Sequence, residues 1–216
     1  MTSSKATASG DKAVLTRRKP MQERAKARVE RILVAATELI AESGSDTVRM
    51  TEVASRAGIP IGSLYQYFPD KAAILRFLAV RFMERIRESL TEGLQGIETV
   101  DGALARIDQI VEGYYQTFID EPVVRDIWSG TQSDKVLQAL DIEDSRDNGQ
   151  IFYEVLKRFV DPAEHARFEA ACFLIMQMAG AATRLAIAVE RQEGDLLMVE
   201  FRRLVRRELE GFMVAG

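Results

Sequence analysis

A short stretch of small and polar side chains, residues 61–66, is suited to hydrogen bonding with the bases of DNA. Ser63 and Gln66 can each hydrogen-bond to a base edge, and a glutamine amide pairs well with adenine. Ile61 can contact a thymine methyl group, and Gly62 has no side chain to keep a helix away from a bound duplex. These residue types predict recognition of base pairs in a groove of double-stranded DNA.

The neighbouring residues are suited to the phosphate backbone. Tyr65 and Tyr67 carry hydroxyl groups, and Lys71 carries a positive charge just after them. Such groups fix the register of a protein on DNA. The alternative is that the aromatic residues form a core cluster. We adopt that alternative for Phe68, because it has no polar tip, and phosphate contact for the two tyrosines.

Two short helices must position these groups. Val53, Ala54 and Ala57 form the inner face of a helix over residues 50–57, and Gly58 can end it in a left-handed conformation. Pro60 suits the first turn of the next helix, over residues 60–67, where Leu64 faces inward. Two helices joined by such a turn are typical of a helix-turn-helix, whose second helix enters the major groove.

The rest of the chain reads as an all-α protein. Apolar residues recur at helical spacing before and after the motif, in a first helix over residues 21–42 and a fourth over residues 71–93 that Asp70 caps. We therefore predict an N-terminal three-helix DNA-binding domain and a larger C-terminal helical domain. Turn signals separate the later helices, predicted at residues 101–119, 122–129, 134–140, 143–160, 162–189 and 195–213.

The charge distribution supports DNA as the partner. Residues 1–75 hold 12 lysines and arginines against 8 acidic residues, whereas the remainder holds 17 against 25. A polyanion would therefore dock at the N-terminal end. Residues 1–19 are small, polar and basic, and we interpret them as a flexible arm. The predicted domains are residues 1–19, 20–70 and 71–216.

The segment MTEVASRAGIPIGSLYQYFPDKAAIL resembles the DNA-binding motif of the TetR family of bacterial regulators. The Ala-Gly turn, the Gly-Ser-Leu-Tyr-x-Tyr-Phe core and the lysine after it stand at the family's spacing, and the resemblance covers about residues 22–78. It implies a homodimeric repressor that leaves a palindromic operator when a small molecule binds its C-terminal domain. The resemblance places Thr51, Ile61, Gly62, Ser63 and Gln66 at base-facing positions, and Tyr65, Tyr67 and Lys71 at phosphate-facing ones.

The C-terminal domain should hold the dimer interface and a pocket for an apolar or aromatic effector. Small residues in residues 168–188 let helices approach closely, and with the last helix they predict a four-helix bundle across a two-fold axis. The alternative is an internal core without a dimer. Large apolar residues are the candidates for the pocket, although each also suits plain core: Tyr114, Tyr115, Phe118, Trp128, Phe152, Met176 and Met178.

Other functions find less support in the sequence. Asp141, Glu143, Asp144 and Asp147 form an acidic cluster, which we interpret as a solvated turn and helix start rather than a catalytic site. Cys172 is predicted to be buried, and His165 to be an exposed helix residue, so no metal or cofactor is expected. No signal sequence or uninterrupted apolar span predicts a membrane protein, so a cytoplasmic location is expected. An enzyme and a DNA-binding protein without a ligand remain as alternatives.

Overall fold

The computed structural model describes the backbone of residues 8–130 and 134–213 and the side chains of residues 23–128 and 134–213. Within these ranges the chain is helical, which confirms the all-α prediction. Two 3-10 turns, Lys157–Phe159 and Pro162–Glu164, lie between the seventh and eighth helices. The helices are α1 Ala8–Ser43, α2 Met50–Arg56, α3 Ile61–Tyr67, α4 Lys71–Gly93, α5 Val100–Asp120, α6 Pro122–Gly130, α7 Lys135–Leu156, α8 His165–Ala188 and α9 Arg191–Phe212.

The chain forms two compact units, Met1–Ile74 and Leu75–Gly216, which divide within α4. In the first unit the apolar stripe of α1 packs in a small core with the inner faces of α2 and α3. Gly58 has a φ of 63°, so the chain takes the left-handed conformation that ends α2. Leu64 is fully buried at the centre of α3, as its spacing predicts. The core of this unit contains Ile32, Leu33, Ala36, Leu39, Ile40, Val53, Ala54, Ala57, Leu64, Phe68 and Ile74.

The first helix is longer than predicted. It begins at Ala8, so much of the segment interpreted as a flexible arm has helical backbone, while residues 1–7 lie outside the described residues. The side chains of Lys12, Arg17, Arg18 and Lys19 also lie outside them. Gly10 and Pro20 lie within this helix, and Pro20 cannot donate a backbone hydrogen bond there, which is why the sequence does not predict helix before residue 21.

In the second unit α8 packs closely against both α7 and α9, and α5 packs against α8 and α9. Two glycines permit the contact. A Cβ atom on Gly149 of α7 would lie 2.8 Å from Phe173 Cα of α8, and one on Gly194 of α9 would lie 2.2 Å from the Ala186 carbonyl oxygen of α8. Real Cβ atoms need more room than this, so only glycine allows these helix pairs to approach so closely.

The predicted break between residues 140 and 143 is wrong, because α7 continues through it. The Asp134 side chain caps this helix by accepting hydrogen bonds from the amides of Val136 and Leu137. Asp141 and Asp144, interpreted as parts of a solvated turn, have side chains only 14% exposed and lie in ion pairs. The acidic residues therefore belong to a partly buried helix face.

The segment Pro162–Ala188, which contains α8, is long and apolar enough to span a membrane by length and composition, and 28% of its most apolar window is buried. Leu174, Met178 and Leu185 are large apolar side chains exposed along it. Helix α9 exposes Leu196, Val199 and Leu204. The adjacent helices α8 and α9 therefore leave apolar surface uncovered in the single chain.

Candidate nucleic-acid interface and ligand cavity

The burial of Leu64 fixes which face of α3 is outward. Ile61, Gly62, Tyr65 and Gln66 are exposed, and the Ile61 side chain is 38% exposed although it is apolar. Ser63 and Tyr67 are half-buried at the edges of this face, and Thr51 is exposed in the first turn of α2. The structure thus leaves the residues predicted to touch bases accessible, and their contact with DNA stays a prediction.

Arg28 of α1 is a neighbour of this face that the sequence pattern did not single out. Its Nη1 donates to the Ser63 Oγ over 3.4 Å, a long hydrogen bond that links α1 to α3. The Arg28 Nε is buried without a partner in the described residues. Arg28 therefore brings a positive charge beside a side chain predicted to read bases. Its position off the apolar stripe of α1 was the available signal.

The Lys71 ammonium group already has partners within the first unit. Its Nζ donates to the carbonyl oxygens of Ser45 and Asp46, at 2.9 and 2.8 Å, and so holds the loop between α1 and α2. An ammonium group has three donors, so one remains for a phosphate. Asp70 caps the same end of α4, because its Oδ1 accepts from the Ala73 amide at 2.7 Å. Lys71 therefore has a structural role in addition to the predicted phosphate contact.

We expect Lys71→Ala to weaken binding to all DNA sequences alike and to flatten the dependence of log K on log salt by about one unit. The physical reason is that one phosphate contact is lost, so one fewer counterion is released from the DNA on binding.

Gln66→Ala should instead cost about 1–3 kcal/mol of binding free energy on the preferred site only. Fluorescence anisotropy over a salt series, with selected and random duplexes, measures both effects.

Thr47→Val is the matched control for Lys71→Ala, because it removes hydrogen bonds from the same loop without removing a charge. The Thr47 Oγ1 donates to the Ser43 carbonyl at 2.8 Å. If both variants lower DNA affinity and leave the salt slope unchanged, Lys71 acts by holding the loop and makes no phosphate contact.

The second unit contains a cavity of about 330 Å³ between α4, α5, α7 and α8. This volume is at the lower end of the range for small-molecule pockets. Its walls are largely apolar, and the apolar residues that line it include Phe82, Ile86, Leu90, Ile107, Ile110 and Phe152.

Four residues predicted to line a pocket line this cavity: Tyr114, Trp128, Phe152 and Met176. The other three lie elsewhere. Phe118 is fully buried behind the wall, with its ring centroid 5.4 Å from that of Phe82. The Tyr115 hydroxyl donates to Asp195 at 3.1 Å, towards α9. Met178 is exposed on α8. We therefore leave Tyr115, Phe118 and Met178 out of the proposed lining.

One side of the cavity is polar, although sequence reasoning predicted only apolar lining. Asp141, Asp144 and Asn148 of α7 are among its lining residues. The Asp144 Oδ1 lies 2.6 Å from Arg87 Nη2, and the Asp141 Oδ2 lies 3.7 Å from Arg184 Nη1. Each acidic side chain on this wall thus faces an arginine.

Burial raises the pKa of two groups at this wall. It raises the pKa of Asp144, although the hydrogen bond from Arg87 acts in the opposite direction. It also raises the pKa of Tyr114, and the nearby negative charge of Asp141 adds to the effect. The Tyr114 hydroxyl therefore stays protonated at neutral pH and is available as a hydrogen-bond donor.

The spacing of these residues was a signal that could have revealed the polar wall. Asp141, Ser145, Asn148 and Phe152 follow one another at intervals of four, three and four residues, which is one face of a single helix. Dividing the segment into two helices hid this face. The error therefore came from treating neighbouring acidic residues as a sign of a solvated turn.

The cysteine and the histidine are both explained by their place in the packed structure. Cys172 is buried as predicted, and burial raises the pKa of its thiol to about 12, so the reactive thiolate is disfavoured. His165 is half-buried rather than exposed: its Nε2 lies 3.1 and 3.2 Å from the carbonyl oxygens of Lys157 and Val160. Among the residues that the structure describes, no group of three or more potential ligands could hold a metal ion.

Comparison with known families identifies both parts of the chain. Residues 32–78 match the family described as bacterial regulatory proteins, tetR family. Residues 101–213 match the family described as tetracyclin repressor-like, C-terminal domain, and this match alone spans just over half of the 216 residues.

Curated relatives are similar over part of their length. The transcriptional repressor KstR of Rhodococcus jostii is 35% identical over 89 residues, which are 40% of this chain and 42% of that protein. The transcriptional regulator UidR of Escherichia coli K12 is 29% identical over 107 residues, which are 50% of this chain and 53% of that protein. The chain thus spans about half or less of the length of these relatives.

Solved structures share the fold over nearly the whole chain. A TetR-family transcriptional regulator from Pectobacterium atrosepticum has a TM-score of 0.68 at 18% identity, covering 90% of this chain and 98% of that one. SmeT in complex with triclosan has a TM-score of 0.64 at 15% identity, covering 88% and 93% of the two chains. RolR in complex with resorcinol has a TM-score of 0.62 at 17% identity, covering 87% and 95%. At these identities the likeness concerns the fold.

Proposed function

Because the chain belongs to the TetR family of bacterial regulatory proteins, we propose that it is a homodimeric repressor that leaves its operator when a small apolar or aromatic molecule binds. The observation that carries this proposal is the outward face of α3. Leu64 is completely buried, whereas Ile61, Gly62 and Gln66 are exposed on the other side of the same short helix. Action on chromosomal DNA places the protein in the cytoplasm.

DNA recognition is assigned to the two short helices and the start of α4. Ser63, Gln66 and Thr51 supply hydrogen bonds to base edges, and Ile61 supplies an apolar contact. Gly62 lets the backbone of α3 approach the groove. Tyr65, Tyr67 and Lys71 hold phosphates on either side.

The dimer is assigned to the apolar surface of α8 and α9. Leu174, Leu185, Leu196 and Leu204 are each more than half exposed in the single chain. Several large apolar side chains exposed on two adjacent helices support an interaction site there. A second copy packed on it would form a four-helix bundle and present two reading helices to a palindromic operator. Burial of α8 against a second copy of the chain would also explain why this helix is as apolar as a membrane-spanning one.

The effector site is assigned to the cavity of the second unit. Its volume of about 330 Å³ and its mostly apolar walls suit a small ring or chain. SmeT and RolR, whose folds are similar, were solved with triclosan and with resorcinol. These complexes support the binding of small molecules by proteins of this fold.

Helix α4 is the proposed connection between effector and DNA. It carries Lys71 in its first turn, while Phe82, Ile86 and Leu90 further along line the cavity. A molecule that enters the cavity pushes on these side chains, and a helix is stiff enough to transmit the displacement along its length. Operator release then depends on how much more tightly the effector binds the released form.

Linkage between the two ligands tests this proposal. A tenfold loss of operator affinity requires about 1.4 kcal/mol of coupling, and saturating operator must weaken effector binding by the same factor. We would select operator DNA from a random pool, find an effector by thermal shift against a metabolite library, and measure its affinity by calorimetry with and without operator. If the effector binds equally tightly with and without operator, ligand-induced release is wrong, and the protein is a DNA-binding dimer that this ligand does not regulate.

A further inference from the structure

Hydrogen bonding on the polar wall of the cavity is incomplete. Asn148 lies on this wall and is only 6% exposed. Its Nδ2 donates to the Asp144 Oδ2 at 2.9 Å, whereas its Oδ1 accepts no hydrogen bond within the described part of the chain. Leaving a buried acceptor without a donor is unfavourable, and most such atoms in folded proteins have a partner. A bound molecule that donates to Asn148 Oδ1 would remove this deficit.

A hydrogen-bond donor without a described partner lies next to Gly180 of the cavity lining, although Arg184 itself is not one of the lining residues. The Arg184 Nη1 is buried and makes no hydrogen bond to another described residue, since its nearest acidic atom, Asp141 Oδ2, is 3.7 Å away. Gly180 lines the cavity, and a Cβ atom placed on it would lie 3.3 Å from Arg184 Nη1 and 3.9 Å from the Tyr114 hydroxyl oxygen. The guanidinium and the phenol therefore flank one stretch of the wall.

The two carboxylates of this wall are already paired with arginines that do not line the cavity. Asp144 pairs with Arg87, which also pairs with the more exposed Asp147, and Asp141 pairs with Arg184; the charged lining residue Arg106 is exposed. An anionic head group would lie against the two carboxylates, and a cationic one would compete with the arginines that already pair with them. A hydroxyl carries no charge and both donates and accepts a hydrogen bond, so it meets the needs of both unpartnered atoms.

We infer that the effector carries a neutral hydroxyl on a small apolar body, with the hydroxyl donating to Asn148 Oδ1 and accepting from Arg184 Nη1. The body lies among the apolar side chains of α4 and α5, where Trp128 and Phe152 add aromatic surface. This inference rests on the proposed assignment of the cavity as the effector site.

Four probes share a propylphenyl body, and those with a head group carry it opposite the propyl chain: 4-propylphenol, propylbenzene, 4-propylbenzoate and 4-propylbenzylammonium. By calorimetry on the native protein we expect 4-propylphenol to bind about tenfold more tightly than propylbenzene, equivalent to about 1.4 kcal/mol. The two charged probes should bind more weakly than the phenol. No DNA is present, so the outcome is independent of operator release.

Asn148→Leu tests the acceptor directly. It should bring the affinity of 4-propylphenol down to that of propylbenzene and leave propylbenzene binding within about twofold. Thr117→Val is the matched control, because it removes a hydroxyl from the same cavity whose proton is already donated to the Gly113 carbonyl at 2.9 Å. It should keep the tenfold preference.

The outcomes separate this inference from the proposed function. If the phenol and propylbenzene bind the native protein equally, or a charged probe binds most tightly, the hydroxyl head group is wrong and the cavity remains an effector site. If none of the four binds, both the head group and the assignment of the cavity fail. The comparison on the native protein decides the question even if Asn148→Leu does not fold.

Discussion

Replacing Gly62 by leucine is expected to lower operator affinity by at least about 100-fold, equivalent to about 3 kcal/mol, while the protein stays folded. Gly62 lies inside α3 on its exposed face, and no atom lies within 4 Å of the position where a Cβ would stand. The protein itself therefore does not require glycine here. A leucine side chain would instead hold α3 away from the base edges, so several contacts would be lost together.

The stability of this variant should change in the opposite direction. Glycine in a helix interior is disfavoured, so Gly62→Leu should raise the free energy of unfolding by up to about 0.8 kcal/mol. Thermal unfolding and anisotropy with DNA selected by the native protein measure the two effects separately. Gly211→Ala is the matched control: it adds a methyl group into open space on α9, outside both the cavity and the helix-turn-helix, should also raise stability, and should leave operator affinity unchanged. Native affinity in Gly62→Leu would show that α3 does not enter the groove.

Replacing Gly194 by alanine should have the largest effect on stability. The added Cβ would lie 2.2 Å from the Ala186 carbonyl oxygen and 3.0 Å from the Tyr115 hydroxyl oxygen. A backbone oxygen cannot rotate out of the way, so α8 and α9 must separate. We expect a loss of about 3 kcal/mol, which lowers the melting temperature by about 6–12 °C for a chain of this length.

The same change should weaken the dimer, because α8 and α9 together carry the exposed apolar surface. Light scattering coupled to size exclusion, over a dilution series, measures the dimer population. Gly211→Ala in the same helix is the control, since nothing lies within 4 Å of its added Cβ, and it should lose no stability. If Gly194→Ala melts at the native temperature, α8 and α9 do not pack as closely as the structure describes.

The helix-turn-helix could be predicted from the sequence because its signals are local. Gly58 takes a positive φ, Pro60 stands in an extended conformation immediately before α3, one residue earlier than the start of the described helix, and Leu64 is the apolar residue that one turn of α3 can bury. The inward and outward faces follow from helical periodicity alone. For the same reason the burial of Phe68 and the cap at Asp70 were predicted correctly.

Features that depend on packing between distant segments could not be predicted in this way. The sequence does not show that Phe118 stands behind the cavity wall, or that Tyr115 turns to Asp195, since both follow from how α5 rotates against α6 and α9. Nor does it show that Lys71 meets the carbonyls of residues 45 and 46, a contact across 25 residues.

The outward face of α3, the all-α class and the basic N-terminal end follow from the sequence, because local spacing and charge are independent of tertiary contacts. The chemistry of the cavity follows from the way distant helices pack. From the sequence alone the acidic residues of α7 are predicted to be exposed to solvent. Pairing with Arg87 and Arg184 is what allows Asp144 and Asp141 to lie at a buried wall. On the same wall Asn148 Oδ1 is an acceptor for which no described residue supplies a donor.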